Sequence, residues 1–271
     1  MIVVTGATGN VGSEVVRLLD AAGERVTAAS RRPAPVPEGV RHRVADLDDP
    51  PSLTAAFDGA DALFLLVAGH EPRAVLEAAV AGGVRRVVLL SSQGAGTRPA
   101  SYAHPVAFEE AVRGSGLDWT ILRPGGFASN TMAWAGTIRE HRTAAAPFAD
   151  VALPVIDPAD IAEVAALVLR QDGHAGRTYE LTGPEAVTPR ERAATIGAAL
   201  GAEVSFTEQS RQEARAQMVR FMPEQVADGT LDILGTPTTA ERRVSPDAER
   251  LLGRAPRTFA DWTARNTAAF Q

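Results

Sequence analysis

Three side chains in this 271-residue sequence are of a type and in a place to give a proton to a reacting molecule. Tyr102 and His104 lie in the stretch SYAHPVAFEE, and His70 follows the apolar run DALFLLVA. Tyrosine and histidine are suited to general acid work when held near a reacting group. Glu109, in the same stretch as Tyr102, is better suited to orient a neighbour or to pair with an arginine. All 27 basic residues are Arg, so no lysine is present to lower the pKa of a tyrosine. Unassisted, Tyr102 keeps a pKa of about 10 and is a hydrogen-bond donor at neutral pH rather than a base. There is no cysteine, which excludes thiolate nucleophiles, disulfides and Cys-based metal sites. The five histidines, His42, His70, His104, His141 and His174, share no ligand-like spacing, and no metal is expected.

A second chemistry is written in VVTGATGNVGSEVV. Gly6, Gly9 and Gly12 stand three apart between an apolar strand and a helix. Gly6 suits the tight turn, Gly9 lets the backbone approach a pyrophosphate, and Gly12 lets the helix pack closely on the sheet. Thr8, Asn10 and Val11 complete this turn, and the helix N-terminus offers free N–H groups to negative charge. A dinucleotide is therefore expected. Its type is read at the end of the second strand, TAASRRP, where Ser30, Arg31 and Arg32 stand with no acid. Arginine forks match a 2′-phosphate, so the cofactor is expected to be NADP(H). Asp46 and Leu47, after the third strand, are expected at the adenine, with capping of the next helix as the other role for Asp46.

These residues need elements to position them. Short apolar runs alternate with Ala-rich amphipathic segments, the pattern of β-α-β units around a parallel sheet. Strands are expected at 2–4, 25–30, 40–45, 61–68, 85–92 and in LDWTILRPGG. Further strand-like stretches are 153–156, 177–182 and 202–207, with helices at 158–170 and 189–200. The stretch SYAHPVAFEE should hold a helix with Pro105 near its first position. From about 210 to 271 the chain reads as mainly helical, broken near Pro223 and Pro237. The expected fold is α/β, a doubly wound parallel Rossmann sheet with a smaller C-terminal α/β substrate lobe. Residues 1–127 should form the NADP-binding core, and 128–271 should complete the sheet and form the lobe.

The formal net charge of −6 argues against nucleic acid as a partner. No apolar run approaches the roughly 20 residues of a membrane span, so no membrane partner and a cytoplasmic location are expected. Asp157 and Asp160 in DPADIA read as a capping arrangement. Phe127, Met132 and Trp134 could line an apolar wall for a flat substrate.

Taken together, TGATGNVG, SRRP, ADLDD, VVLLSS, SGLDWTILRPGGFASN, DPADIA and GRTYELTGPE resemble the NmrA-like group of atypical short-chain dehydrogenases/reductases. The resemblance runs over essentially the whole chain, and SGLDWTILRPGGF and YELTGPE are its more specific parts. That group contains NAD(P)H-dependent reductases of quinones and dyes, and dinucleotide-binding regulators that act through protein partners. The resemblance implies that Leu66, Val67 and Ala68 line the cofactor and that Pro124, Gly125, Gly126 and Phe127 sit beside the nicotinamide. It also makes Ser91 or Ser92 the strand-end serine of the wider superfamily. Two departures stand out. The Tyr-x-x-x-Lys pair of that superfamily is broken here by Val106, and a histidine found in relatives four residues before the helix Glu is here Pro105.

A missing lysine disfavours alcohol oxidation, which needs a tyrosine able to act as a base. Reduction of an electron-poor acceptor needs less, because the developing charge is delocalised and solvent can supply the proton. The expected activity is therefore NADPH-dependent reduction of a small conjugated or cyclic carbonyl compound, such as a quinone or enone. A non-catalytic redox-sensing regulator and a non-redox isomerase or cyclase are the alternatives. A small-molecule substrate is expected, with a second copy of the chain or a regulatory protein as the open protein partners.

Overall fold

In the computed structural model, which describes residues 1–271, the strands are β1 (Ile2–Thr5), β2 (Val26–Ser30), β3 (Arg41–Val44), β4 (Ala62–Leu66), β5 (Arg86–Leu90), β6 (Asp118–Pro124), β7 (Thr143–Pro147), β8 (Arg177–Leu181) and β9 (Ser205–Gln209). The helices are α1 (Gly12–Ala21), α2 (Pro50–Phe57), α3 (Pro72–Ala81), α4 (Gln93–Thr97), α5 (Ala103–Arg113), α6 (Ala135–His141), α7 (Pro158–Arg170), α8 (Pro189–Leu200), α9 (Arg211–Met218), α10 (Glu224–Gly235), α11 (Thr239–Arg242), α12 (Asp247–Leu252) and α13 (Phe259–Asn266). The chain forms two compact units. The first comprises Met1–Ala95, Ala103–Pro124 and Pro158–Glu180; the second comprises Gly96–Tyr102, Gly125–Asp157 and Leu181–Gln271. No helix is long and apolar enough to cross a membrane.

The first unit carries a seven-stranded sheet in the order β3-β2-β1-β4-β5-β6-β8, and the pairs from β3 through to β6 are parallel. This is the doubly wound order, in which the switch point falls between β1 and β4. Continuous apolar runs such as IVVT and ALFLL are what a sheet covered on both faces demands, and β1 is buried along its whole length. β3, RHRV, is largely exposed and charged, as an edge strand should be. α1 and α7 pack together on one face of the sheet. On the other, α2, α3 and α5 bury Phe57, Leu76, Ala79, Phe108 and Val112 against Leu63, Leu65 and Leu89. Each of the valine, leucine and phenylalanine side chains among them contributes about 1.5–3 kcal/mol by leaving water. Thr5 ties the two central strands, donating to the Phe64 carbonyl and accepting from the Leu66 amide, each at 3.0 Å.

The second unit packs α6, α8 and α13 with the parallel pair β7 and β9. Its core holds Trp134, Ile138, Ile196, Phe259, Trp262 and Phe270. Four helices of this unit begin on capping boxes, Thr188/Glu191, Ser210/Glu213, Thr238/Glu241 and Thr258/Asp261. Each satisfies two helix-start donors, a contribution of about 1 kcal/mol per cap.

Several boundaries differ from the sequence reading. The stretch 153–156 forms only isolated bridges, Leu153 with Val187 and Ile156 with Phe127, because Pro154 cannot donate to a ladder. The strand β7, TAAAP, was not expected, since alanine carries little strand preference. Its partner β9 starts at Ser205 rather than 202. The helix of SYAHPVAFEE begins at Ala103, so Pro105 is its third residue, still within the turn that needs no N–H partner. The short helix α4 was also unread. Residues 158–180 return to the first unit, where β8 completes the sheet.

Candidate active site

The glycine turn joins β1 to α1 at the carboxyl edge of the sheet, beside the switch point. Gly6 has φ of +60°, and a Cβ there would lie 2.0 Å from Leu66 Cδ2. A Cβ on Gly12 would lie 2.2 Å from the Gly6 carbonyl oxygen, and one on Gly9 would lie 3.3 Å from it. Gly6 and Gly12 are therefore fixed by local geometry, and Gly9 is tightly placed against backbone. Thr8, Gly9 and Asn10 are exposed, whereas Val11 and Gly12 are buried. No side chain caps the N-terminus of α1; the Ser13 amide donates to the Gly9 carbonyl at 3.0 Å, and the dipole of the helix start still favours an anion there. This cradle fits a dinucleotide pyrophosphate.

Ser30 ends β2 with its side chain turned inward. Its hydroxyl donates to the Arg32 carbonyl at 2.7 Å and lies 2.8 Å from His42 Nε2. A hydroxyl has one proton, so His42 Nε2 is the donor in the second bond. Ser30 thus has no proton left for a phosphate, while Arg31 and Arg32 are exposed. His42 is a residue the sequence did not single out, because only the pairing of β2 with β3 brings it to Ser30. Asp46 does not cap α2. Its carboxylate accepts from the Asp48 amide at 3.1 Å, and the N-cap position belongs to Asp49. Leu47 is buried, and Leu66, Val67 and Ala68 are half-buried at the end of β4.

Ser91, at the end of β5, is not free. Its hydroxyl donates to Glu109 Oε1 at 2.7 Å. Glu109 is 1% exposed and also receives Arg123 through Nε at 2.8 Å and Nη2 at 2.6 Å, and Arg113 at 2.8 Å. Burial opposes its charge, but Arg123 and Ser91 outweigh it and hold the carboxyl below the usual range. The expected pairing of Glu109 with an arginine is seen twice over. Arg113 is legible in the sequence from its i,i+4 spacing, whereas Arg123 reaches Glu109 only because β6 lies beside β5.

The three candidate proton donors are divided between the two units. His70 is exposed and its Nδ1 lies 2.6 Å from Asp48 Oδ1, a bond that lowers the Asp48 pKa. His104 gives its Nε2 proton to the Gly69 carbonyl at 2.7 Å and sets its ring edge-on to Phe108. The two imidazoles are 6.4 Å apart in the first unit. Tyr102 belongs to the second unit, where its hydroxyl lies 3.2 Å from Thr230 Oγ1 on α10. Burial raises its pKa above the ordinary tyrosine value, so the phenol stays protonated at neutral pH.

Pro124 closes β6, and Gly125 and Gly126 follow it, each bonded through its backbone: the Gly125 amide donates to the Leu181 carbonyl at 2.9 Å, and the Gly126 carbonyl accepts from Ile156 at 2.8 Å. Phe127 leads into a 3-10 turn, Ala128–Trp134, that carries Met132 and Trp134. Both of these pack into the core of the second unit rather than standing free. Asp157 is ion-paired to Arg265, and Asp160 is fully buried in the first turn of α7.

A family pattern described as NAD(P)H-binding matches residues 6–172. The (4-alkanoyl-5-oxo-2,5-dihydrofuran-3-yl)methyl phosphate reductase of Streptomyces griseus is 38% identical, with 100% of this chain and 99% of that protein covered. The NAD(P)H azoreductase of Xenophilus azovorans is 34% identical, over 100% of this chain and 99% of its own. Among solved structures, the NADPH-dependent quinone oxidoreductase QOR2 of Escherichia coli, complexed with NADPH, superimposes with a TM-score of 0.82 at 28% identity, covering 98% of this chain and 99% of that one. With the glycine cradle in place, this chain belongs to the NmrA-like NAD(P)H-binding family of atypical short-chain reductases.

Proposed function

We propose that the protein is an NADPH-dependent reductase that delivers hydride to a small conjugated or cyclic carbonyl compound, a quinone or an enone. The observation that carries this reading is the commitment of Ser91 to Glu109, in a chain with no lysine. A simple ketone would develop a localised alkoxide, which needs a strong, poised acid. This chain has no Tyr–Lys pair to provide one, so the acceptor must spread its own charge. The reductase of S. griseus supports the reading, since the 5-oxo-2,5-dihydrofuran ring in its name is a conjugated lactone.

When bound, the nicotinamide supplies the hydride. The chain's own residues bind and orient. The glycine turn and the start of α1 hold the pyrophosphate, and Arg31 and Arg32 hold the 2′-phosphate. Holding donor and acceptor in place supplies much of the rate. Among the three candidate donors, Tyr102 makes a hydrogen bond that need not use its own proton. The His104 Nε2 proton goes to Gly69 and His70 faces Asp48, but Thr230 can be the donor in its bond to Tyr102. We assign proton delivery to Tyr102 on that ground.

The test is NADPH consumption by the purified protein with quinones, enones and aryl ketones, with NADH in parallel. Turnover confined to conjugated acceptors is expected. Equal turnover of unconjugated ketones would overturn the substrate assignment, and no turnover with any acceptor would overturn the activity.

A further inference from the structure

The N-terminal turn of α8 carries two arginines, Arg190 and Arg192, at the end of a helix where cations are disfavoured. Each stacks on an aromatic ring of the second unit. Arg190 Cζ lies 5.5 Å from the centre of Phe206, and Arg192 Cζ lies 5.6 Å from the centre of Trp134. Those two rings pack edge to face at 6.2 Å. The arginines differ in one respect. Arg190 has a counter-ion, Asp150, at 2.9 Å. Arg192 has none, and its Nε is buried with no hydrogen-bond partner.

The nearby acids are already committed. Asp150 takes Arg190, Glu191 accepts the Thr188 amide, and Glu208 accepts the Ala149 amide. Burial pushes Arg192 down to about 10, far below an ordinary guanidinium. A cation withdrawn from water and left unpaired is costly, and a natural chain keeps one only where something else repays it. A second unpartnered group lies in the same unit. Thr131 is 2% exposed and its hydroxyl makes no hydrogen bond. It stands three residues before Trp134 on a 3-10 turn, where residues three apart share one face. Of the two, only Arg192 is placed against the Trp134 ring. Arg192 keeps some exposure, so its terminal nitrogens are reachable.

We infer that Arg192, stacked on Trp134, is a recognition site for an oxyanion group, a phosphate monoester or a carboxylate, carried by the small molecule this protein binds. The inference deepens the reductase reading, and rests on it in taking the 3-10 turn after Phe127 as the substrate side. A planar guanidinium is suited to this task, because its donors match two oxygens at once. Neutral quinones would then be surrogates, and the preferred acceptor would be a conjugated carbonyl bearing an anionic arm.

The experiment measures binding without turnover. Protein saturated with NADP⁺, so that its own phosphate sites are filled, is titrated with phenyl phosphate, benzoate and benzyl alcohol, followed by ligand-observed NMR. Wild type is compared with Arg192→Met, which keeps length and removes charge, and with Arg192→Lys. Arg192→Met should weaken at least one anion by about tenfold and leave benzyl alcohol unchanged. Its melting temperature should hold or rise, because an unpaired buried cation has been removed. Arg192→Lys should fall between the two. Tighter phenyl phosphate assigns a phosphate arm, and tighter benzoate a carboxylate. Equal anion affinity in all three proteins overturns the inference, and so does a lowered melting temperature with unchanged affinity, which makes Arg192 a packing residue. Should Arg192→Met fail to fold, Arg192→Lys and Arg192→Gln carry the test, each expected to weaken the anion and not the alcohol. Turnover of neutral quinones without Arg192-dependent anion binding refutes this site alone. Arg192-dependent binding without turnover of any acceptor refutes the reductase reading alone.

Discussion

Replacing Glu109 with glutamine should destabilise the protein by about 3 kcal/mol at pH 7. Its carboxylate takes four hydrogen bonds, two from Arg123 and one each from Arg113 and Ser91. Glutamine keeps the shape but has one acceptor oxygen. Its NH₂ would face donors, and two arginines would lose their counter-charge. Breaking a buried pair by removing one partner costs about 3–5 kcal/mol. The lower end applies because the Arg113 and Arg123 side chains retain 38% and 19% exposure and can recover some hydration. The pH dependence adds a signature. A carboxyl whose native pKa is depressed contributes stability that is complete above its unfolded value of about 4.3 and is lost as pH falls through the native value. The gap between wild type and Glu109→Gln should therefore narrow below about pH 4. Urea unfolding at pH 7 and at pH 4 or below, followed by circular dichroism, reads both quantities. A gap under about 1 kcal/mol at pH 7, or one that widens with acid, would refute the account of this cluster.

Gly12→Ala should abolish tight NADPH binding and cost about 1–3 kcal/mol of stability, since its Cβ would meet the Gly6 carbonyl at 2.2 Å; NADPH fluorescence titration and chemical denaturation check this, and near-wild-type affinity would remove the glycine turn from the cofactor site. Arg31→Ala with Arg32→Ala should weaken NADPH by about tenfold or more and leave NADH nearly unchanged, whereas equal losses would sink the 2′-phosphate assignment. Tyr102→Phe should slow reduction of enones by about tenfold or more and cost about 1 kcal/mol through the lost Thr230 bond. Turnover unchanged in that variant would take Tyr102 out of the mechanism and leave it a residue that anchors α10.

Much of this protein is legible in its linear order because the determining interactions are local. The glycine turn works through the backbone conformation of a few consecutive residues, so Gly6, Gly9 and Gly12 declare it by spacing and by the strand and helix on either side. Continuous apolar runs reveal a sheet covered on both faces, and α7 and α8 fall where periodicity and caps put them. Composition determined the chemistry left available: with no lysine and no cysteine, neither a Tyr–Lys pair nor a thiolate can carry it.

Tertiary structure decided how those groups are used. Ser30 was expected to face the cofactor's 2′-phosphate, yet its proton goes to its own turn and His42 arrives from the neighbouring strand. Ser91 and Glu109 are 18 residues apart and meet only because α5 crosses over β5. Arg123 joins them from β6. Tyr102 and His104, two residues apart, part company between the units, one held by Thr230 and the other by Gly69. Arg192 looks in sequence like one more charge on a polar helix face. Only the fold withdraws it from water, sets it on Trp134 and leaves it without a carboxylate. The physical reason is common to all of these: spacing determines what a backbone does over a few residues, whereas the partner of a side chain, and hence its proton and its charge, depends on which distant strand or helix is packed against it.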